Sequence, residues 1–192
     1  MDDGNMLDFQ PKILVFAGPN GSGKSTITDG YPIIGVYVNA DDIKRHRGCS
    51  DIEAAEEAEA LRESLINRRK SFTFETVLST ERNIRLLEKA KSFGYYVESI
   101  YVLTVDAELN VGRVETRVAK GGHDVPKEKI RSRYLKSLQL LKTLVSISDE
   151  CVMVDNTVRP EIIFKKDADG ETYLPNEFWD EGKLRKLLAA YP

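Results

Sequence analysis

The sequence predicts an α/β fold, a three-layer sandwich with a mainly parallel sheet of five strands, and two patterns support this prediction. Short apolar runs rich in β-branched residues alternate with longer amphipathic segments along the 192 residues. The first run, at residues 12–17, is almost continuously apolar, as in a strand buried on both faces of a parallel sheet. Helices that connect such strands pack against the sheet.

The first two predicted strands are residues 12–17 and 36–39. A glycine-rich turn and a helix follow the first strand directly. After the second strand, Ser50 and Glu53 have the spacing of a capping box and open a longer helix. Apolar residues three and four positions apart give this helix its predicted core face. They are Ala54, Ala58, Leu61 and Leu65.

The next two predicted strands are residues 72–75 and about 96–103, and a helix connects them. This helix begins near Thr80 and is expected to end at Gly94, because a glycine commonly terminates a helix. Residues of about 106–133 are then predicted to form a helical lid. Its first helix starts after Asp106 as N-cap and breaks at Gly121-Gly122. The apolar face of that helix is Val111, Val114 and Val118.

The remaining segments complete the predicted fold. A long helix from about 127 to 146 packs through Ile130, Tyr134, Leu138 and Leu141. A fifth strand follows at residues 151–155. Residues 161–192 are predicted to form a hairpin with Asp169-Gly170 in its turn and a closing helix from Glu177 to Ala190. All 192 residues are expected to belong to one domain.

Composition narrows the function classes. Lys and Arg total 28 against 31 Asp and Glu, a net charge of −3, which does not favour a nucleic-acid partner. The two cysteines, Cys49 and Cys151, are far apart and suit a reducing compartment. The acidic start at residues 1–5 precedes no long apolar run, so neither a signal peptide nor a membrane span is predicted. We therefore expect a cytoplasmic protein.

A phosphate-binding motif follows the first predicted strand. Its residues are Gly18, Pro19, Asn20, Gly21, Ser22, Gly23, Lys24 and Ser25, with Thr26 next. They match G-x-x-x-x-G-K-[ST] in the strand–loop–helix context that a P-loop requires. The backbone N–H groups are expected to cradle the phosphates of ATP, Lys24 to bridge the β- and γ-oxygens, and Ser25 to ligate Mg²⁺.

Two other P-loop classes lack their remaining motifs here. A GTPase would carry an Asn-Lys-x-Asp motif, and a transporter ATPase would carry an LSGGQ-type signature and a strand ending in Asp-Glu. The sequence contains none of these. A kinase is therefore the leading class, with a P-loop kinase-like fold.

Carboxylates are expected beside the P-loop, because ligands collect at the carboxyl ends of parallel strands. Asp41 is the candidate base that accepts the proton of a substrate hydroxyl. Asp42 is an alternative, and either residue could instead cap the following helix. Glu75 could orient substrate or hold Mg²⁺ through water. The hydroxyl of Thr76 is a further candidate for substrate binding.

Arginines in the predicted lid are candidates for stabilising the transferred phosphoryl group. Arg113 and Arg117 are four residues apart on one helix face, beside the glycines. Arg131 and Arg133 begin the next helix and could complete a clamp over the phosphate. Alternatively, these arginines form a solvated helix face. His123 could bind phosphate or only shape the loop.

These motifs together resemble the zeta toxin family of P-loop kinases, in particular its short chromosomal members. The resemblance covers about residues 12–156. Its most specific parts are FETVLS and RVETRVAKGGHDVP, and it also includes GPNGSGKST, VNADDI, IRSRYLKSL and VDN.

The resemblance implies an ATP- and Mg²⁺-dependent kinase whose acceptor is UDP-N-acetylglucosamine, and it implies an antitoxin partner. It implies that Lys24 and Ser25 have the P-loop roles and Asp41 is the general base. Glu75 is then the substrate-binding carboxylate, with Arg117 and Arg131 contacting the γ-phosphate.

Two other functions remain open from the sequence. The acceptor of the kinase could be another small hydroxyl compound, such as a nucleoside or an antibiotic. Alternatively, the chain could be an interaction module that hydrolyses ATP slowly to switch a partner. A base at Asp41 is required only for the kinase reaction.

Overall fold

The computed structural model describes residues 10–189. The acidic start and the predicted last helical residue, Ala190, lie outside these residues. The strands are β1 (Lys12–Ala17), β2 (Val36–Val38), β3 (Phe72–Thr76), β4 (Tyr96–Leu103), β5 (Glu150–Asp155), β6 (Glu161–Asp167) and β7 (Gly170–Tyr173). The helices are α1 (Lys24–Thr28), α2 (Ala40–Arg47), α3 (Asp51–Asn67), α4 (Arg82–Ser92), α5 (Ala107–Ala119), α6 (Lys127–Ile147) and α7 (Glu181–Ala189).

All seven strands of the described chain join one sheet in the order β2-β3-β1-β4-β5-β6-β7. The first five strands are parallel, as predicted, and β6 and β7 add antiparallel strands at one edge. The prediction of five strands was therefore too low, because the C-terminal hairpin continues the sheet. A hairpin pattern in the sequence does not show which strand it will pair with.

The two faces of the sheet are covered unequally. The larger apolar cluster contains Ile13, Val15 and Ala17 of β1 together with residues of α3, α4, α6 and α7. A smaller cluster on the other face contains Leu14 and Phe16, with Ile27 of α1 packed against it. Successive residues of a strand point to opposite faces, so β1 contributes to both clusters and is buried from Ile13 to Ala17. This burial fixes the position of the loop that follows β1.

Local signals in the sequence placed most helix ends correctly. Ser50 and Glu53 form the predicted capping box, and Asp106 accepts a hydrogen bond from the backbone N–H of Leu109. Gly94 follows α4 with φ of +78°, a conformation that suits glycine. The closing helix begins at Glu181 rather than at the predicted Glu177. In the turn before it, the side chain of Asn176 accepts from the N–H of Trp179, and Asp180 caps the helix by accepting from the N–H of Lys183.

One helix face differs from its prediction. Leu61 of α3 was predicted to lie in the core, but it is 37% exposed, whereas Arg62 is only 8% exposed. Ala54, Ala58 and Leu65 are buried as predicted, so the face differs at one position, where the guanidinium of Arg62 is buried instead of the Leu61 side chain. In the predicted lid, Val111 and Val114 are buried, but Val118 is 36% exposed. The four core residues predicted for α6 are all buried.

The structure contains no helix in residues 10–189 that has both the length and the apolar character needed to cross a bilayer.

Candidate active site

The loop between β1 and α1 has the tight backbone expected of a phosphate cradle. Gly18 has φ of +140° and Gly23 has φ of +90°. A Cβ atom on Gly18 would lie 2.1 Å from the carbonyl oxygen of Val102, and one on Gly23 would lie 2.2 Å from Nδ2 of Asn156. Any other residue at these two positions would collide with backbone or with a side chain that holds the loop.

Neighbouring elements fix the loop in place. The N–H of Gly18 donates to the carbonyl of Thr76 at the end of β3, at 3.2 Å. Asn156, which follows β5, donates from Nδ2 to the carbonyl of Ser22 at 2.8 Å. Arg133 of α6 donates from Nη1 to Oδ1 of Asn20 at 3.3 Å. The loop is therefore held by contacts from three separate elements, which limits its freedom before any ligand arrives.

Lys24 is folded back onto the loop. Its Nζ donates to the carbonyls of Gly18 at 2.8 Å and Pro19 at 3.0 Å. Burial lowers the pKa of Lys24 to about 8; the charge of Arg117 acts in the same direction, and Glu75 and Asp41 oppose it. The charges of Arg117, Glu75 and Asp41 are thus close enough to act on Lys24, although the four residues come from four separate segments of the chain.

Glu75 is the centre of a short hydrogen-bond chain at the end of β3. Ser25 donates its hydroxyl to Oε2 of Glu75 at 3.3 Å, and Tyr37 donates its hydroxyl to Oε1 at 2.7 Å. Asn39 donates from Nδ2 to the Tyr37 oxygen at 3.0 Å. Burial and the bond to Glu75 raise the pKa of Tyr37, so its hydroxyl stays a donor. This chain fixes both oxygens of the carboxylate.

Sequence reasoning missed Tyr37 and Asn39 as site residues. They lie two positions apart at the end of β2, so they point to the same side of the strand. That spacing, at the carboxyl end of a strand next to β3, was the signal that could have identified them. Asn156 was included in the family resemblance, but its contact with the P-loop was not foreseen.

The two adjacent aspartates face different surroundings. Asn39 is the N-cap of α2 and accepts from the N–H of Asp41 at 2.9 Å, so neither aspartate is the cap. Asp41 lines the same cleft as Lys24 and Glu75. Asp42 lines a smaller hollow of about 250 Å³ beside β2, and its carboxylate pairs with Arg45 at 3.2 Å.

The predicted lid arginines are divided between the cleft and the outer surface. Arg117 lines the cleft and donates from Nη2 to the carbonyl of His123 at 2.7 Å. Arg113 also lines it and donates to the carbonyl of Thr157 at 2.9 Å. Arg131 does not line the cleft, because its guanidinium binds Glu108 at 2.7 Å and Glu128 at 2.5 Å. Arg133, two residues later, lines the cleft instead.

One cleft of about 1970 Å³ at the carboxyl edge of the sheet is bordered by Lys24, Asp41, Glu75 and the three lid arginines Arg113, Arg117 and Arg133. Among the predicted P-loop residues, the cleft is lined by Asn20, Gly21, Gly23, Lys24, Ser25 and Thr26. Thr76 also lines it, but its hydroxyl already accepts from the N–H of Leu78 at 2.9 Å and from Nδ2 of Asn83 at 2.8 Å. Cleft and cradle together could hold a nucleotide and a second molecule side by side.

Comparisons with known proteins give a family match and one relative. A family model described as Zeta toxin matches residues 3–174. An uncharacterized protein of Haemophilus influenzae is 30% identical over 131 residues, which cover 65% of this chain and 94% of that protein.

Two solved structures resemble the fold. The crystal structure of AvrRxo1-ORF1:-ORF2 with ATP has a TM-score of 0.70 at 15% identity, with 94% of this chain and 64% of that chain covered. The chain thus spans just under two thirds of that relative's length. A structure from the PezAT chromosomal toxin-antitoxin system of Streptococcus pneumoniae has a TM-score of 0.57 at 17% identity, covering 98% of this chain and 82% of that chain. At these identities the likeness shows the fold alone.

Proposed function

The chain belongs to the zeta toxin family, and from this we propose that it is a kinase that transfers the γ-phosphate of ATP to a hydroxyl of a small molecule. One observation carries the proposal. A single cleft is bordered by the P-loop lysine, the free carboxylate of Asp41, the anchored carboxylate of Glu75 and three lid arginines, Arg113, Arg117 and Arg133. Phosphoryl transfer needs positioned phosphates, compensation of negative charge and a group that accepts the proton of the acceptor hydroxyl.

Each role follows from the surroundings of the residue. Lys24 would exchange the carbonyls of Gly18 and Pro19 for the β- and γ-oxygens of ATP. Asp41 would accept the proton of the hydroxyl, since its carboxylate makes no hydrogen bond or ion pair with another side chain of residues 10–189. Arg117 and Arg133 would stabilise the charge on the transferred group.

The residues beside the P-loop fit a Mg²⁺ ion. Ser25 and Glu75 bring a hydroxyl and a carboxylate oxygen within 3.3 Å of each other, and Mg²⁺ prefers oxygen ligands. No group of three or more His, Cys, Asp or Glu side chains suited to a metal occurs in residues 10–189. This agrees with an ion held mainly by phosphate oxygens and water, with Ser25 as its protein ligand and Glu75 acting through water. When bound, the ion would neutralise charge on the phosphates.

For the acceptor we propose UDP-N-acetylglucosamine, on the basis of the family. The test is a screen of purified protein with ATP against sugar nucleotides, nucleosides, antibiotics and water, followed by ADP release and product mass. A phosphorylated sugar nucleotide would support the proposal. ADP release with water alone would instead favour a slow ATPase that acts as a switch.

Three wider proposals accompany the kinase. We propose a cytoplasmic location, where ATP is available, and one kinase domain over residues 1–192, which the single sheet supports. We also propose an antitoxin partner. Its support is that the AvrRxo1 structure contains a second protein and that PezAT is a toxin-antitoxin system. Co-purification from the source cell would test it.

The affinity of the protein for ATP is expected to fall as pH rises through about 8. In the protein without ATP the pKa of Lys24 is about 8, and bound phosphate raises it. Between the pKa of the ATP-free protein and the higher pKa of the complex, ATP binding therefore takes up a proton. The lysine charge is therefore fully present below the lower pKa and is progressively lost above it. Calorimetry in buffers of different ionisation enthalpy, between about pH 7 and about pH 9, would measure this uptake. Lys24→Arg, which stays charged, is the control; constant wild-type affinity over this range would contradict the expectation.

Arg133→Ala is expected to lower kcat by about 10²-fold, since it removes a charge beside the P-loop. Arg131→Ala is the matched variant two residues away on the same helix. It should leave kcat within about twofold, because its guanidinium pairs with Glu108 and Glu128 outside the cleft. Single-turnover rates at saturating ATP would measure both. The opposite ranking would restore Arg131, the residue that the family resemblance favoured.

A further inference from the structure

Arg62 of α3 is a buried cation in the wall of the cleft that α3 and α4 form. It is 8% exposed, and its guanidinium lies over the ring of Phe74, 5.1 Å from the ring centre. Phe74 immediately precedes Glu75 in β3, so Arg62 lies beside the strand end that carries the carboxylate of the candidate active site. It lines the same cleft. Nothing in the proposed phosphoryl transfer uses this residue.

The guanidinium has no hydrogen-bond or ion-pair partner among residues 10–189, and its Nε is buried. The reason lies in its neighbours on α3. Glu59 pairs with Arg82 at 3.0 Å, and Glu63 pairs with Lys89, so both nearby carboxylates bind cations of α4. These two pairs join α3 to α4 and leave Arg62 of α3 without a carboxylate partner. Burial accordingly lowers the pKa of Arg62. A buried charge without a close partner is unfavourable, and the ring of Phe74 compensates only in part.

Asn83, at the start of α4, has a second unmet polar group in the lining of the cleft, and the charge of its neighbour Arg82 acts on Arg62. Its Nδ2 donates to the hydroxyl oxygen of Thr76 at 2.8 Å, which fixes the amide. Its Oδ1 is buried and has no hydrogen-bond partner. The cleft is therefore lined by a free cationic donor and a free amide acceptor, and neither is hydrogen-bonded to the P-loop among residues 10–189. Buried polar groups are almost always hydrogen-bonded, so this pair indicates a ligand that completes them.

We propose that Arg62 and Asn83 form a binding site for an anionic group, a phosphate or a carboxylate, on the molecule that accepts the phosphoryl group. This inference rests on the proposed kinase function. The fork of a guanidinium matches the paired oxygens of a phosphate or carboxylate. Asn83 accepts an N–H or O–H of the same molecule. The consequence is selectivity: the acceptor carries negative charge in addition to its reacting hydroxyl, and neutral polyols bind poorly.

The test is calorimetric titration of the protein with small-molecule probes. The P-loop is first filled with a non-hydrolysable ATP analogue and Mg²⁺, so that an anionic probe binds at the Arg62 and Asn83 site and not at the P-loop. The probes are UDP-N-acetylglucosamine and gluconate, each compared with its neutral counterpart, N-acetylglucosamine and glucose. At least one anionic probe is expected to bind about 10-fold more tightly than its counterpart. Arg62→Met should weaken that probe by about 10- to 100-fold, the range for a hydrogen-bonded charge. Arg85→Met is the control, because Arg85 lies on the same wall but pairs with the exposed Glu81.

Thermal unfolding separates binding from a structural role. Arg62→Met without ligand should unfold at the same or a higher temperature than wild type, because an unpaired buried charge has been removed. If that variant does not fold, Arg62→Lys keeps the charge and should bind the probe several-fold more weakly, since an ammonium lacks the fork.

Equal binding of anionic and neutral probes by wild type would overturn the inference. So would unchanged probe affinity in Arg62→Met. Failure of wild type to bind the ATP analogue would count instead against the proposed kinase function. The Arg62 comparison would then be made by titrating the probes into the protein alone.

Discussion

Replacing Lys24 with alanine is expected to abolish phosphoryl transfer. The ammonium is the cation nearest to the phosphate cradle, with Nζ 2.8 Å from the carbonyl of Gly18. During transfer, negative charge shifts towards the γ-phosphate, and a cation held there lowers the barrier. Its loss should reduce the rate by about 10³-fold or more, which corresponds to roughly 4 kcal/mol. Single-turnover measurement of labelled product from ATP would check this.

The control for this variant is Lys12→Ala. Lys12 lies at the opposite end of β1 and makes an ion pair with Glu98 in which its side chain is 45% exposed. Such a pair contributes at most about 1 kcal/mol to stability, and neither of its residues lines the cleft. Lys12→Ala should therefore retain the wild-type rate. Turnover by Lys24→Ala at the wild-type rate would remove the P-loop from the mechanism.

The parts of the site that the sequence predicted well are those set by local rules. The P-loop is one continuous segment, and its glycines, lysine and serine have a fixed spacing, so its position between β1 and α1 followed directly. The parallel order of strands then placed the ends of β1, β2 and β3 at one edge. Asp41 and Glu75 therefore border the same cleft as Lys24. No distance between side chains was needed for this inference.

The parts that the sequence did not predict depend on which residue of a helix turn faces inward and on competing partners. Arg131 and Arg133 are two residues apart on α6, so they face different directions, and the carboxylates of Glu108 and Glu128 hold the first one outside. On α3, the spacing of apolar residues predicted that Leu61 lies in the core. The structure instead buries Arg62, whose guanidinium packs on Phe74 of β3. An arginine on a helix is usually solvated, so nothing local identified it.

The second large effect is expected for Asp41→Asn, which should bind ATP like wild type but transfer phosphate about 10²-fold more slowly or worse. An amide has nearly the shape of the carboxylate but cannot accept the proton of the acceptor hydroxyl. The bond that Asp41 makes to Oδ1 of Asn39 comes from its backbone N–H, so this bond and the start of α2 should survive the change. The measurement is single-turnover kinetics, together with the dissociation constant for ATP.

Asp42→Asn is the matched control, because it makes the same chemical change one residue along the same helix turn. Its carboxylate pairs with Arg45, which is largely exposed, and faces the hollow beside β2 rather than the cleft. Loss of such a pair should change stability by less than about 1 kcal/mol and leave transfer within about twofold of wild type.

If Asp42→Asn were slow and Asp41→Asn were normal, the base would be Asp42, and α2 would have to rotate during catalysis to bring it to the acceptor. If both variants were normal, proton acceptance would belong to another group. Glu75 would then be the next candidate, since its carboxylate also lines the cleft, and Tyr37 and Ser25 would have to release it first.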